Sequence, residues 1–163
     1  MPAADTTVLR SRHHPGEVGR SVLFGASMVK PLGACMIPVM LGALTSMLTA
    51  QPVLRFLTIG FPVALAVASA WTVFQLLRRA VEVETSGEAV RIRSAWDVAG
   101  GRVPEWLSVL DVRREDPWIS IVLGHDARRL RISDWPNSAK LEAVVREAAH
   151  AFAGRVQEKL DGR

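Results

Sequence analysis

Ser120, His125 and Asp126 are the residue types of a nucleophile, a general base and an orienting acid, and acyl transfer is the chemistry such a trio performs. His125 and Asp126, however, fall within Gly124-His-Asp-Ala127, a good turn sequence in its own right. Neither a nucleophile elbow nor a phosphate-cradling glycine loop accompanies them. The chain is therefore expected not to be an enzyme, with no catalytic residue and no small-molecule substrate. His13 and His14 are metal-ligand types, but an adjacent pair in a polar segment lacks further ligands, so they read as solvated. No metal and no cofactor are expected.

Arg113, Arg114, Arg128, Arg129 and Arg131 flank the apolar segment Trp118 to Leu123 and suit a different chemistry. Gathered on adjacent strands and turned toward a bilayer, they would hold anionic lipid headgroups, each worth about 1 kcal/mol near the surface. Glu115, Asp116 and Asp126 are interleaved with them, so surface ion pairing competes with that role. The 163 residues carry 20 Lys and Arg against 16 Asp and Glu, a net charge of +4, and the surplus sits at the boundaries of the apolar runs, at Lys30, Arg78 and Arg79, rather than in the nearly balanced C-terminal half. A nucleic-acid partner would require a bulk basic patch there and is excluded.

The elements that position these groups begin with two apolar runs, 31–50 and 56–77, joined by Gln51-Pro-Val-Leu-Arg55. Each is free of His, Asp, Glu, Lys and Arg and, at about 20 residues, rises about 30 Å as a helix, the thickness of a bilayer core. A two-helix transmembrane hairpin is expected. Without an ionisable residue inside it, transport and pigment ligation are excluded. Thirty residues precede the first run and Leu48-Thr-Ala50 is a poor cleavage site, so an uncleaved anchor is expected. Lys30, Arg78 and Arg79 bracket the hairpin while the connector offers only Arg55, which places both termini in the cytoplasm by the positive-inside rule. Gly60, Ala64 and Ala68 recur at four-residue spacing and form a stripe that either packs on the first span or receives a foreign helix. The lone Cys35 within the first run forms no intramolecular disulfide.

Residues 1–30 read as a polar N-terminal segment and 80–160 as a folded domain. Ala80 to Glu84 and Ala89 to Arg93 alternate as a strand pair about the turn Thr85-Ser-Gly-Glu88. Gly100-Gly101 turns into a third apolar stretch, Glu105 to Arg114, which Glu115-Asp-Pro117 interrupts before Trp118 to Leu123 and Arg128 to Ile132. Five or six short antiparallel strands are expected. After Pro136-Asn-Ser138, Leu141, Val144, Val145, Ala148 and Phe152 recur at three and four, the pattern of an amphipathic helix. Trp96 and Trp135 sit beside turns, where an exposed indole serves as an interface anchor.

This order of elements resembles the bacterial membrane proteins with a pleckstrin-homology-like (PH-like) domain, in which a strand pair follows the second span, as Val81 to Arg93 does here. A hydrophobic strand then leads into a helix through a proline turn, as Leu130-Arg-Ile-Ser-Asp-Trp-Pro-Asn137 does. The family's Thr-Asn-Arg-Arg segment is replaced by Glu84-Thr-Ser-Gly-Glu88. Trp135-Pro136 also resembles a pair in assembly proteins of bacterial photosynthetic complexes. The resemblance implies a membrane α-helical hairpin plus an α+β domain, an antiparallel half-barrel of short strands closed by a C-terminal amphipathic helix. It further implies a non-catalytic accessory or assembly subunit of a photosynthetic or respiratory complex in the bacterial inner membrane. The partners would be other membrane-protein subunits and the lipid bilayer, with contacts through Gly60, Ala64, Ala68, Trp96 and Trp135. A membrane-tethered module that binds anionic headgroups is the alternative.

Overall fold

The computed structural model describes residues 6–124 and 126–161 and divides into two compact units, 17–78 and the remainder of the chain. The first is a helical pair, α1 (Arg20–Leu48) and α2 (Val53–Arg78). Both are long and apolar enough to cross a membrane. α1 begins at Arg20, well before the expected boundary at 31, because Val22, Leu23, Phe24, Met28 and Val29 continue the apolar helical sequence through the isolated Lys30. Pro31 and Pro38 consequently lie inside α1, and Pro62 inside α2.

The helices join through a tight connection in which Gln51 N–H donates to the Ser46 carbonyl at 2.8 Å and Ala50 adopts a positive φ of 53°. Ala64, Ala68, Thr72 and Leu76 form the buried stripe of α2, one residue per helical turn, and Ala43 and Ser46 are buried on α1. Close approach is visible at two glycines: Gly42 faces the Phe56 ring and Gly60 faces the Val39 methyls, where an added Cβ would meet carbon at 3.0 and 2.9 Å. Most other apolar side chains of the pair point outward, including Leu48, Leu54, Ile59 and Val63.

The second unit is a six-stranded antiparallel open sheet in simple sequential order, followed by a helix. Its strands are β1 (Thr6–Arg10), β2 (Ala80–Ser86), β3 (Ala89–Ser94), β4 (Leu107–Glu115), β5 (Trp118–Leu123) and β6 (Asp126–Arg131). The short α3 (Ala95–Ala99) lies between β3 and β4, and α4 (Ser138–Asp161) ends the described chain. Residues 6–30 of the expected polar segment are thus not a separate piece, and residues 1–5 of it lie outside the described residues. Thr7 and Leu9 face inward, and all five residues of β1 pair with β2.

α3 was not anticipated, although its signal is present in Ser94-Ala-Trp-Asp97. The Ser94 hydroxyl accepts from Asp97 N–H at 3.1 Å while the Asp97 carboxylate accepts from Ser94 N–H at 3.2 Å, a reciprocal cap. β3 and β4 share only the pairs Ala89–Ser108 and Val90–Leu107, so the sheet consists of two three-stranded halves joined at one short contact.

One face of the sheet supplies Val83, Val90, Val109, Ile119, Ile121, Leu123 and Leu130 to the core, and α4 covers them with Leu141, Val145 and Ala148. Each such aliphatic side chain contributes about 1.5–3 kcal/mol on burial. This amphipathic helix follows the expected three-and-four spacing, and Leu141 and Val145 are fully buried.

Candidate functional site

Alternation along the strands sends the residues between the core positions to the sheet face opposite α4. On the β1–β3 half, the register aligns Arg10, Glu82 and Arg93 in one row and Val8, Glu84 and Arg91 in the next. Glu82 is the hub. Arg93 Nη1 donates to its Oε1 at 2.7 Å, and Arg10 Nε donates to its Oε2 at 3.2 Å. His14 Nε2 lies 3.1 Å from the same Oε2, and because His14 Nδ1 accepts from Gly16 N–H at 3.0 Å, the ring proton belongs on Nε2, facing Glu82. Beside this hub Arg91 pairs with Glu84, and the Arg91 guanidinium lies 4.4 Å from the Trp106 ring centroid.

Burial pushes the Glu82 carboxyl up, but the hydrogen bond and charge of Arg93, reinforced by Arg10 and His14, hold it below its ordinary value. The histidine pair is therefore not a solvated tail. His14 is half-buried against Glu82, and His13 Nε2 lies 3.6 Å from Asp134 Oδ1. Both are engaged in securing the chain after β1, together with Ser11 N–H to the Val81 carbonyl and Arg12 N–H to the Asp134 carbonyl, each 2.8 Å.

The five arginines do not share one surface. Arg114 and Arg128 lie in the rows of Ile119 and Ile121, on the side of α4. Arg114 Nη1 donates to Glu142 at 3.1 Å and its Nε lies 3.4 Å from Asp116, while Arg128 Nε lies 2.9 Å from Asp126. Arg113, Arg129 and Arg131 occupy the opposite face, with Ser120 and Trp118 between strands β4 and β6. The irregularity between Val109 and Asp111 shifts the alternation of β4 and so determines which of the Arg113-Arg114 pair faces which way. Arg113 Nε donates to Asp111 Oδ2 at 2.7 Å, a bond that lowers the Asp111 carboxyl below its usual range. Glu142 and Asp116 in turn raise the Arg114 guanidinium further.

The expected contact residues also separate. Trp135 is 4% exposed and belongs to the core rather than to a docking surface, because the turn before α4 brings it into the cluster that holds Leu130, Leu141 and Val145. Trp96 is half-buried on α3. Gly60 is occupied by Val39 of the same hairpin, and Ala64 and Ala68 are buried in it, so this stripe joins the two helices rather than receiving a foreign one. Sequence reasoning missed a run of exposed apolar side chains at the start of β4: Val103, Trp106, Leu107 and Leu110.

His125 lies outside the described residues. Ser120 and Asp126 fall on opposite faces of the sheet, so these two do not converge. Among the described residues, no group of three His, Cys, Asp or Glu is placed to hold a metal ion. Comparison with protein families, curated proteins and solved structures gives no match to this chain.

Proposed function

We propose that the chain is a non-catalytic accessory or assembly subunit of a bacterial inner-membrane complex, anchored by α1 and α2 and acting through a PH-like domain. The observation that carries the contact role is the exposed run Val103, Trp106, Leu107 and Leu110, on a domain whose sheet charges are in large part mutually paired. Exposed apolar side chains of this kind mark contact surfaces.

Anchorage in lipid is supported by the outward-facing apolar side chains of the hairpin and by its hydroxyls. Thr45, Thr58 and Ser69 donate to the carbonyl four residues earlier at 2.9, 2.8 and 2.7 Å, the arrangement that satisfies such groups where water is lacking. In this reading the hairpin returns the chain to the side from which it entered, so both soluble parts lie in the cytoplasm. The sequential antiparallel sheet closed by α4 supports the PH-like assignment.

Gentle detergent extraction followed by native sizing tests the proposal. An accessory subunit travels with a far larger assembly, and replacing Leu107 and Leu110 together by Ser releases it while leaving it in the membrane. Migration of the native chain as a small species would refute the role.

A further inference from the structure

The face opposite α4 also carries, on the β4–β6 half, a group of polar side chains with unused donors. Arg113, Ser120 and Arg129 form one cross-strand row, and Glu115, Trp118 and Arg131 form the next. Ile119 and Ile121 on either side of Ser120 are fully buried in the core, so alternation aims the Ser120 hydroxyl out of this face between two arginines. Ser120 is only 8% exposed, and its hydroxyl has no hydrogen-bond partner among the described residues.

Arg129 and Arg131 are exposed and likewise without an acidic partner among the described residues. Arg113 commits its Nε to Asp111, which leaves its two Nη groups free to donate outward. Strand geometry sets Arg113 and Arg129 about 10 Å apart at Cα, and Arg129 and Arg131 about 7 Å apart. Like charges at this spacing repel, and an anion seated among them removes that repulsion.

We propose that Arg113, Ser120, Arg129 and Arg131 bind a single phosphate group, as the headgroup of an anionic phospholipid or as free phosphate. Guanidinium forks match phosphate oxygens in pairs, and the hydroxyl adds a neutral donor at the floor of the site. Trp118, 38% exposed beside Arg131, supplies an apolar flank. Glu115 closes the row of Trp118, so an extended polyanion meets a carboxylate where a single phosphate does not. The site goes beyond the contact role proposed above, and only its lipid source rests on the membrane reading.

The test uses the full chain in zwitterionic detergent micelles. Inorganic phosphate is titrated calorimetrically, and retained phosphatidylglycerol is counted against phosphatidylcholine by native mass spectrometry. R129Q/R131Q weakens binding by about tenfold or more, and S120A by a smaller factor, as expected for the loss of charge-assisted and neutral hydrogen bonds. R114Q/R128Q, which alters the α4 side, changes it by less than about twofold.

Dependence on Arg129 and Arg131 in the phosphate arm identifies free phosphate, and the same dependence in the lipid arm identifies a headgroup. Binding in neither arm, or equal losses in the two double variants, overturns the proposal. Membrane insertion is read separately by resistance to carbonate extraction, so a chain that is extracted yet still binds phosphate refutes the anchor and leaves the site standing.

Discussion

Arg93 Nη1 stands 2.7 Å from Glu82 Oε1 across the β2–β3 pair, on a carboxylate whose side chain is only 4% exposed. Removing the charge by Glu82→Gln leaves Arg10 without its counter-ion and Arg93 with only the more distant Glu84 Oε1 at 3.8 Å. A loss of about 3 kcal/mol is expected, the range for breaking a buried pair from one side. Denaturant unfolding of the full chain, followed by tryptophan fluorescence, measures it. A loss below about 1 kcal/mol would place the pair among weak surface bridges.

The same carboxyl sets an acid limit on stability. Its folded value is held below the ordinary 4.5, so it contributes stability that is fully present above 4.5 and is lost as the pH falls through the depressed folded value. Unfolding midpoints of the native chain therefore decline on acidification below 4.5, and the decline is shallower in Glu82→Gln. Parallel curves for the two proteins would assign the acid sensitivity to other carboxylates.

Gly60 and Gly33 separate packing from helix propensity within the hairpin. A Cβ at Gly60 meets a Val39 methyl at 2.9 Å, whereas one at Gly33 meets nothing within 4 Å. Gly60→Ala should weaken the α1–α2 association by about 1–3 kcal/mol through overpacking, and Gly33→Ala should leave it unchanged. Unfolding in mixed detergent, with a fluorophore pair across the hairpin, distinguishes them. Equal behaviour of the two variants would mean that the stripe does not hold the helices together.

Trp135→Ala should destabilise the sheet domain by about 3–5 kcal/mol, the cost of emptying a buried aromatic site. This follows from the position of Trp135 among Leu130, Leu141 and Val145 in the core cluster. Comparison of chemical unfolding with pull-down of any partner complex separates the roles: a stable variant with lost contacts would return Trp135 to the surface role its sequence neighbourhood suggests.

Ser94→Ala removes the reciprocal cap of α3, at a cost of about 1 kcal/mol. Because α3 lies between the two halves of the sheet, which share only two residue pairs at β3 and β4, the effect should concentrate there. Hydrogen exchange of residues 95–109 should accelerate in the variant, while α4 remains protected. Uniform acceleration over the whole domain would show that the cap has no local role.

The uncharged runs about Pro38 and Pro62, the alternation of Val81 to Arg93 and the spacing of Leu141, Val145 and Ala148 determined the helices, the first hairpin of strands and the covering helix, because each pattern is a property of near neighbours along the chain. The opposed faces of Arg113 and Arg114, the pairing of Arg10 with Glu82 at a separation of 72 residues and the burial of Trp135 were decided by tertiary structure. Strand register, and the irregularity that shifts it, depend on which distant segment completes the sheet. A side chain beside a turn is equally able to face water or core until that neighbour is in place.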